Sequence, residues 1–337
     1  MRNNIYIIAE VAQGYEGKFN QSKLFIKAAS KAKSSAVKFQ LVYADELATK
    51  DYKYYNLFKD LEMLDEEWNN LRGYAVSFGL DFIVDIFGVK SLKTAEKIGL
   101  QTVKVHGTDI TNILLLRAIA NSSIEKVILG IGGAYWDEIE TAIKILSSKT
   151  LTLLCGFQGY PTRIEDNQIL RMKLIQNKVN AIHSNFKMGF ADHPKDDSFS
   201  SIISLVAVGA GATTIEKHIT LGRVMELEDF ESALNPDEFA SFVNDIIFGQ
   251  KALGNLDDEN DFKMSSSEKK YRKNIRRDVV AMEDIEAGEI LTLENITLKR
   301  TSSDEAIKNL DLVLGKSVNK KIKRNQLITI NHFGKRK

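Results

Sequence analysis

Ionisable side chains recur at the ends of short apolar runs in this sequence. Glu10 closes the first run, Lys38 and Gln40 lie in the second, and Lys104 lies in the fourth, with Asp109 just after it. A charged group is costly to bury without a partner, so its repetition across several runs predicts a shared polar cavity. Two lysines in such a cavity could bind a dianion as point charges, or one of them could form a Schiff base with a carbonyl substrate.

A pair of histidines marks a candidate metal site. Of the five histidines, His193 and His218 follow the last two apolar runs. Neighbouring strands lie about 4.8 Å apart, so two imidazoles at the same height could bind one ion. Each histidine could equally be a hydrogen-bonded loop or core residue. Because no cysteine accompanies the pair, an ion that retains several waters, Mn²⁺ or Mg²⁺, suits it better than zinc.

The elements that would position these side chains alternate between strand-length apolar runs and segments of helical period. This alternation is typical of parallel βα units. Eight repeats in about 250 residues predict a (β/α)8 TIM barrel over residues 1–255, with its active site at the carboxyl ends of the strands. A doubly wound open sheet is the competing fold. The predicted strands are 5–9, 36–40, 81–85, 102–105, 126–129, 150–154, 186–190 and 213–216.

The chain changes character after the last predicted helix. Residues 256–277 turn from acidic to basic and predict a charged linker. Residues 278–337 lack a sustained helical period and contain a weak internal repeat in which Gly288 and Asn325 occupy the same place. Both residue types tolerate a left-handed backbone, so each copy is expected to turn there between two short strands. We therefore expect a small, mainly β domain, which at about 60 residues needs something to pack on.

The composition narrows the class of protein. The 337 residues are 44% hydrophobic and 27% charged with a net charge of +1, which argues against disorder and against a nucleic-acid partner. The single cysteine, Cys155, excludes an intramolecular disulfide framework. No apolar run is long enough to span a membrane, and the first residues leave no room for a signal peptide, so a cytoplasmic location and a small-molecule partner are expected.

Seven stretches, in order along the chain, resemble the sialic acid synthase family. The match as a whole extends over nearly the whole sequence. It is specific for that family, though not for one sugar. A later stretch, 284–289 with Leu298-Lys299-Arg300, resembles that family's C-terminal antifreeze-like (SAF) module. The barrel stretches are Ile8-Ala9-Glu10-Val11, Gly14-Tyr15-Glu16-Gly17, Ala36-Val37-Lys38-Phe39-Gln40, Tyr160-Pro161-Thr162 with Glu165-Asp166, Gly189-Phe190-Ala191-Asp192-His193, Ile215-Glu216-Lys217-His218-Ile219-Thr220 and Ser232-Ala233-Leu234-Asn235-Pro236-Asp237-Glu238.

The resemblance implies a (β/α)8 barrel joined to the small module. It also implies a domain-swapped homodimer in which each module reaches over the partner's active site. Members of the family condense phosphoenolpyruvate with an open-chain N-acylated hexosamine, giving a nonulosonic 2-keto acid and phosphate. By resemblance, the metal, usually Mn²⁺, would be held by His193 and His218 and would polarise the sugar aldehyde.

The resemblance also assigns roles to single residues. Lys38 and Lys104 would bind phosphoenolpyruvate, and Arg300 would be supplied by the partner's module. Glu10 and Asp109 would act with the two histidines in catalysis, Asp109 near the reacting carbons. The residues that would contact the sugar or the remainder of the substrates are Glu10, Gln40, Gln158, Tyr160 and Asp229.

Departures from the family pattern cluster on the phosphate side. A threonine of the pattern is Asp85, a serine is Gly107 and another serine is Ala191. A carboxylate at Asp85 would repel a phosphate unless it is neutralised, for which Arg163 or His106 could serve. Two alternatives to the synthase therefore stay open: a degenerate paralogue that binds a sugar without turnover, and a Schiff-base aldolase.

Overall fold

The structure, a computed structural model, describes residues 5–156, 159–195, 200–254, 264–303 and 305–333. The chain divides into two compact units, residues 1–255 and 256–337, which are considered separately. Among the described residues, no helix is long and apolar enough to cross a membrane.

The first unit contains a closed barrel of eight parallel strands. Each strand pairs with the next along the chain, and the eighth pairs with the first. Closure excludes the open doubly wound sheet and confirms the predicted (β/α)8 fold. The strands are β1 (Tyr6–Ala12), β2 (Ala36–Leu41), β3 (Asp81–Ile86), β4 (Thr102–Val105), β5 (Lys126–Gly130), β6 (Thr150–Gly156), β7 (Phe186–Asp192) and β8 (Thr214–His218).

Helices follow the strands and cover the outside of the barrel. Buried apolar side chains on the helices pack against outward-facing strand residues in one large hydrophobic cluster. The segment between β2 and β3 carries three helices rather than one. The helices of this unit, within the described residues, are α1 (Phe19–Lys31), α2 (Ala44–Leu47), α3 (Tyr55–Asp60), α4 (Asp65–Ser77), α5 (Val89–Lys97), α6 (Ile113–Ala120), α7 (Trp136–Ile145), α8 (Arg171–Asn180), α9 (Ser200–Gly209) and α10 (Pro236–Leu253).

The strand period of two separates the inside of the barrel from the outside. In β2, Val37 and Phe39 belong to the outer cluster, whereas Ala36 belongs to a small inner cluster with Ile8 of β1 and Ile83 of β3. Inward positions closer to the carboxyl ends are polar. The apolar inner layer therefore supports a polar layer above it.

The second unit contains a two-stranded sheet and several isolated β-bridges. Strands β9 (Asp278–Ala281) and β10 (Ile296–Lys299) pair antiparallel, and a helix, α11 (Ser266–Ile275), lies in the range predicted as a linker. The two copies of the internal repeat pair with each other, since Ile285 and Ile322 exchange backbone hydrogen bonds of 2.8 Å. Gly288 (φ 97°) and Asn325 (φ 64°) both have a left-handed backbone, which confirms the predicted turns.

Candidate active site

Five charged side chains form a layer across the barrel interior near the carboxyl ends of the strands. They stand one inward position above the apolar inner layer, as Glu10 stands above Ile8 in β1. All five are at most 6% exposed. We call them the charged layer: Glu10 (β1), Lys38 (β2), Asp85 (β3), Lys104 (β4) and Glu216 (β8).

The charged layer is one continuous ion-pair network. Lys38 Nζ pairs closely with Glu10, donates to Asp85 Oδ1 at 2.8 Å and lies 3.5 Å from Glu216 Oε2. Lys104 Nζ donates to Glu216 Oε1 at 2.7 Å and lies 3.6 Å from Asp85 Oδ2. Two lysines are therefore shared among three carboxylates. Both predicted phosphoenolpyruvate ligands are already engaged by carboxylates of the chain.

Burial and neighbouring charges shift the pKa values of Glu10 and Glu216 in opposite directions. Burial raises the pKa of Glu10 to about 8, with Lys38 opposing the rise and Glu216 and Asp85 adding to it. Burial also acts to raise the pKa of Glu216, but Lys104 and Lys38 outweigh it and lower that pKa to about 2. Burial acts to lower the pKa of Lys38, yet its carboxylate neighbours, Asp85 first, raise it well above its usual value. Lys38 is thus a permanent cation at neutral pH.

The predicted histidine pair meets beside this layer. His193 follows the end of β7 and His218 ends β8, and their Nε2 atoms are 3.1 Å apart. Both rings are buried, and His193 Nδ1 lies 3.2 Å from the Ala191 carbonyl oxygen. Burial lowers the pKa of His193 to about 3 and that of His218 well below its usual value. Both imidazoles are therefore neutral and can present a nitrogen lone pair.

The pair fits a divalent ion that takes few protein ligands. Two nitrogens about 2.1 Å from an ion and at a right angle to each other lie about 3.0 Å apart, close to the observed Nε2 separation. Within the described residues, no group of three or more histidine, cysteine, aspartate or glutamate side chains is arranged to hold a metal. An ion here would keep waters or substrate oxygens in its remaining positions, as Mn²⁺ and Mg²⁺ do.

A cavity of about 300 Å³ joins the histidine pair to the charged layer. Asp229 lies on its wall, with Oδ2 3.8 Å from His218 Nδ1. Burial, followed by repulsion from Glu228, raises the pKa of Asp229 to about 7. The sequence-predicted residues that line the cavity are Glu10, Gln40, Lys104, Tyr160, His193, His218 and Asp229. The structure thus brings most of the predicted site together.

Two family models match the chain. The NeuB family model matches residues 25–258, and the SAF domain model matches residues 276–334. The chain belongs to the NeuB family. This membership confirms the resemblance to sialic acid synthases.

Several related proteins cover most of the chain, and two of them carry the names of synthases. The N,N'-diacetyllegionaminic acid synthase of Campylobacter jejuni is 30% identical over 96% of this chain and 98% of its own length. The N-acetylneuraminic acid synthetase of Leptospira borgpetersenii, solved with citrate, is 31% identical, has a TM-score of 0.73, and matches over 82% of this chain and 93% of that one. An uncharacterized protein of Methanocaldococcus jannaschii is 31% identical over 95% of this chain and 91% of its own length.

Two predicted residues of this NeuB family chain, Lys38 and Asp109, do not line the cavity. Lys38 sits behind the wall, within the charged layer. Asp109 accepts a hydrogen bond of 3.1 Å from Asn112 Nδ2, and burial raises its pKa. Arg300 lies in the second unit, just after β10. Gln158 falls outside the described residues.

The cavity also contains residues that sequence reasoning left out of the site. Gln13 Nε2 donates to Gln40 Oε1 at 2.8 Å. It is carried there by an irregularity in β1 that shifts the pairing register and gives Ala12 a φ of 50°. Glu228 lines the cavity beside Asp229. Glu216 was visible as a charged residue inside an apolar strand, and that signal could have placed it in the site.

Two of the positions at which this NeuB family member departs from the family pattern, Gly107 and Ala191, line a recess beside Lys104. It measures only about 20 Å³ and is lined largely by residues without side-chain donors, including Gly107, Gly130 and Ala191. His106 lines the recess, but burial, then Lys104, lowers its pKa to about 4, so it is neutral. Neither His106 nor Arg163, whose side chain is 78% exposed, neutralises Asp85. Lys38 and Lys104 do so instead.

Proposed function

We propose that this protein condenses phosphoenolpyruvate with the open-chain form of an N-acylated hexosamine, giving a nonulosonic 2-keto acid and phosphate. One observation supports the proposal most. The facing Nε2 atoms of His193 and His218, 3.1 Å apart, line the same cavity as Lys104 and Glu216. Membership of the NeuB family and the synthase names of its relatives support the same reaction.

His193 and His218 would hold Mn²⁺ or Mg²⁺, which when bound supplies a Lewis acid for an aldehyde oxygen. The protein's own part is to orient the two rings. The Ala191 carbonyl lies 3.2 Å from His193 Nδ1, and Asp229 lies 3.8 Å from His218 Nδ1. The partner at His193 Nδ1 fixes the orientation of that ring and leaves its Nε2 as the ligand atom.

The donor end would use the charged layer. Lys38 and Lys104 would bind the acidic groups of phosphoenolpyruvate. The C3 atom of phosphoenolpyruvate forms the new bond to the aldehyde carbon, the aldehyde oxygen takes up a proton, water adds at C2, and phosphate leaves. Glu10, with a pKa of about 8, retains a proton at neutral pH and would donate it to the new hydroxyl. Asp109 would act close to the same carbons.

The acceptor end would use neutral hydrogen-bonding groups. Gln13, Gln40 and Tyr160 line the cavity and would bind sugar hydroxyl and acyl groups. Gln158 would contribute to the same contacts.

From the family resemblance we also propose a homodimer in which Arg300 of one protomer completes the site of the other. Mixing inactive Arg300→Ala and His193→Ala chains should then restore part of the activity, and a mixture without activity would contradict this arrangement.

The test is phosphate release by the full-length protein with Mn²⁺, phosphoenolpyruvate and a panel of N-acylated hexosamines. Release should require both substrates and should stop when the ion is chelated. Mass spectrometry should then find a nine-carbon 2-keto acid. Absence of release with every sugar would contradict the proposal.

One observation favours a second candidate, a paralogue that binds a sugar without turnover. Both lysines of the charged layer already pair with the carboxylates of Asp85 and Glu216, which is unfavourable for a phosphorylated donor. Sugar binding measured by calorimetry, with no phosphate release, would support it. The Schiff-base aldolase is less favoured, because the raised pKa keeps Lys38 protonated and non-nucleophilic. Borohydride trapping with pyruvate would reveal such an enzyme.

A further inference from the structure

We infer that Asp85 is a built-in competitor of the phosphorylated donor and thereby sets the donor specificity of this site. The inference rests on the proposed function. Asp85 Oδ1 accepts from Lys38 at 2.8 Å, and Asp85 Oδ2 lies 3.6 Å from Lys104. One carboxylate thus occupies the space between the two cations that phosphoenolpyruvate would need. The donor must displace this carboxylate or bind beside it.

The charged layer has no cation to spare for an incoming anion. Lys38 is shared by Glu10, Asp85 and Glu216, and Lys104 by Asp85 and Glu216. Bringing a phosphate dianion beside the Asp85 carboxylate would place like charges together. This repulsion weakens binding of the phosphate unless a cation neutralises one of the two groups.

The unsatisfied oxygen of Asp85 points to the same conflict. Asp85 Oδ2 is buried and has no hydrogen-bond partner among the described residues. A phosphate needs donors, whereas this atom offers one more acceptor at the place where the phosphate would bind. A side chain with a hydroxyl or an amide at residue 85 would reverse that polarity.

The neighbouring recess does not supply the missing donors. Its volume of about 20 Å³ is enough for about one water molecule. Nor can a donor side chain simply be added at Gly130, since a Cβ atom there would lie 2.8 Å from the Gly107 nitrogen. Residue 85 is therefore a position at which a single substitution should change the affinity for phosphate.

Removal of the Asp85 carboxylate leaves both lysines with partners. Lys38 keeps Glu10, and Lys104 keeps Glu216 at 2.7 Å. Glu216 also lies 3.5 Å from Lys38 Nζ, so each buried ammonium group retains a carboxyl partner and the variants are expected to fold. The charge released on the two lysines becomes available to the donor.

The experiment compares phosphoenolpyruvate binding by calorimetry to the full-length wild-type chain and to Asp85→Thr and Asp85→Asn. We expect both variants to bind at least about tenfold more tightly. Asp81→Asn is the matched control, because Asp81 is an exposed carboxylate at the opposite end of the same strand, where it accepts a hydrogen bond from the Tyr6 hydroxyl. It removes the same charge and should leave the Kd unchanged. Equal or weaker binding by folded Asp85 variants would overturn the inference.

A second measurement needs no variant. If Asp85 opposes the phosphate, wild-type protein should prefer phosphoenolpyruvate over pyruvate, which lacks the phosphate, by less than about tenfold. A larger preference would overturn the inference. The outcomes distinguish this inference from the proposed function. If the protein releases phosphate but the Asp85 variants bind phosphoenolpyruvate with an unchanged Kd, only the role of Asp85 is contradicted. If those variants bind more tightly and neither they nor the wild-type protein catalyse condensation, only the synthase function is contradicted.

Discussion

Two buried, neutral imidazoles whose Nε2 atoms face each other are arranged to bind a third group, such as a metal ion. His193 and His218 present Nε2 atoms to each other at 3.1 Å, and at most one of the two can donate. Both face a cavity rather than an apolar core. At the residue scale, this pair is the feature on which the proposed metal-assisted chemistry rests.

Replacement of His193 by alanine should abolish metal-dependent turnover. Loss of a residue that only supports a metal ligand costs about 10–100-fold, so loss of one of two ligands should lower kcat/KM by more than about 100-fold. Steady-state phosphate release and a Mn²⁺ titration followed by electron paramagnetic resonance would measure both effects. His183→Ala is the control, because His183 lies in the connection between α8 and β7, where its Nε2 lies 3.0 Å from the Asn185 carbonyl oxygen. Full Mn²⁺ affinity in the His193 variant would contradict the metal site.

Glu10 makes a pH-dependent contribution to stability. Its pKa rises from 4.5 to about 8 on folding, so the folded state binds its proton more tightly than the unfolded state. The stabilisation is full below pH 4.5 and is lost as the pH rises to about 8. The unfolding midpoint of the wild-type protein should therefore fall over this range, and Glu10→Gln should flatten the decrease.

Thermal unfolding monitored by circular dichroism at several pH values would test this prediction. Glu66→Gln is the matched control, since Glu66 is an exposed carboxylate on α4. If Glu10→Gln and Glu66→Gln give the same pH dependence, the Glu10 carboxyl is ionised in the folded protein throughout.

At the scale of elements, the period of two in the strands is the feature of the sequence that best predicts which side chains point into the barrel. Charged residues inside apolar runs, such as Lys38 and Glu216, can be buried only where a barrel interior brings partners to them, and the closed barrel does so. The pairing of Asp85 with both lysines was not predictable, because it depends on the register of β2, β3 and β4. Gln13 was missed for a similar reason, since a register shift in β1 positions it.

A second buried ion pair, on the outer side of the strands, links β7 and β8 to α9. Lys217 Nζ donates to Asp192 Oδ1 at 2.8 Å, and Ser204 Oγ on α9 donates to Asp192 Oδ2 at 2.6 Å. Both charged side chains are fully buried. Asp192 immediately precedes His193, and Lys217 immediately precedes His218, so the pair holds together the two strand ends that carry the histidines.

Asp192→Ala should destabilise the protein by about 3–5 kcal/mol, because it leaves the Lys217 ammonium buried without its partner. The double variant Asp192→Leu/Lys217→Met removes both charges and should cost less than the single variant. Urea unfolding would give the free energies of all three chains, and Ser204→Ala provides the control for loss of one hydrogen bond. A double variant less stable than Asp192→Ala would show that the ion pair itself is net stabilising.

At the scale of the whole barrel, the candidate site continues outward into a second cavity of about 440 Å³. The two cavities share Gln13 and Glu228 on their walls. The outer cavity is strongly acidic: Glu16, Asp60, Glu226 and Glu228 line it, and its lysine, Lys18, is paired with Glu16 at 2.7 Å. An acceptor that extends from the histidine pair into this cavity would present its distal end to these carboxylates.

The acidic wall predicts an acceptor without a phosphate at that end. An N-acylated hexosamine 6-phosphate should show a kcat/KM at least about tenfold lower than the unphosphorylated sugar, because its dianion would face several carboxylates. Competition between the two sugars, followed by mass spectrometry of the 2-keto acid products, would measure the ratio directly. Glu226→Gln should narrow the ratio by relieving one repulsion, whereas Glu66→Gln, on α4 outside both cavities, should leave it unchanged. Equal use of both sugars by the wild-type protein would mean that the acceptor does not reach the outer cavity.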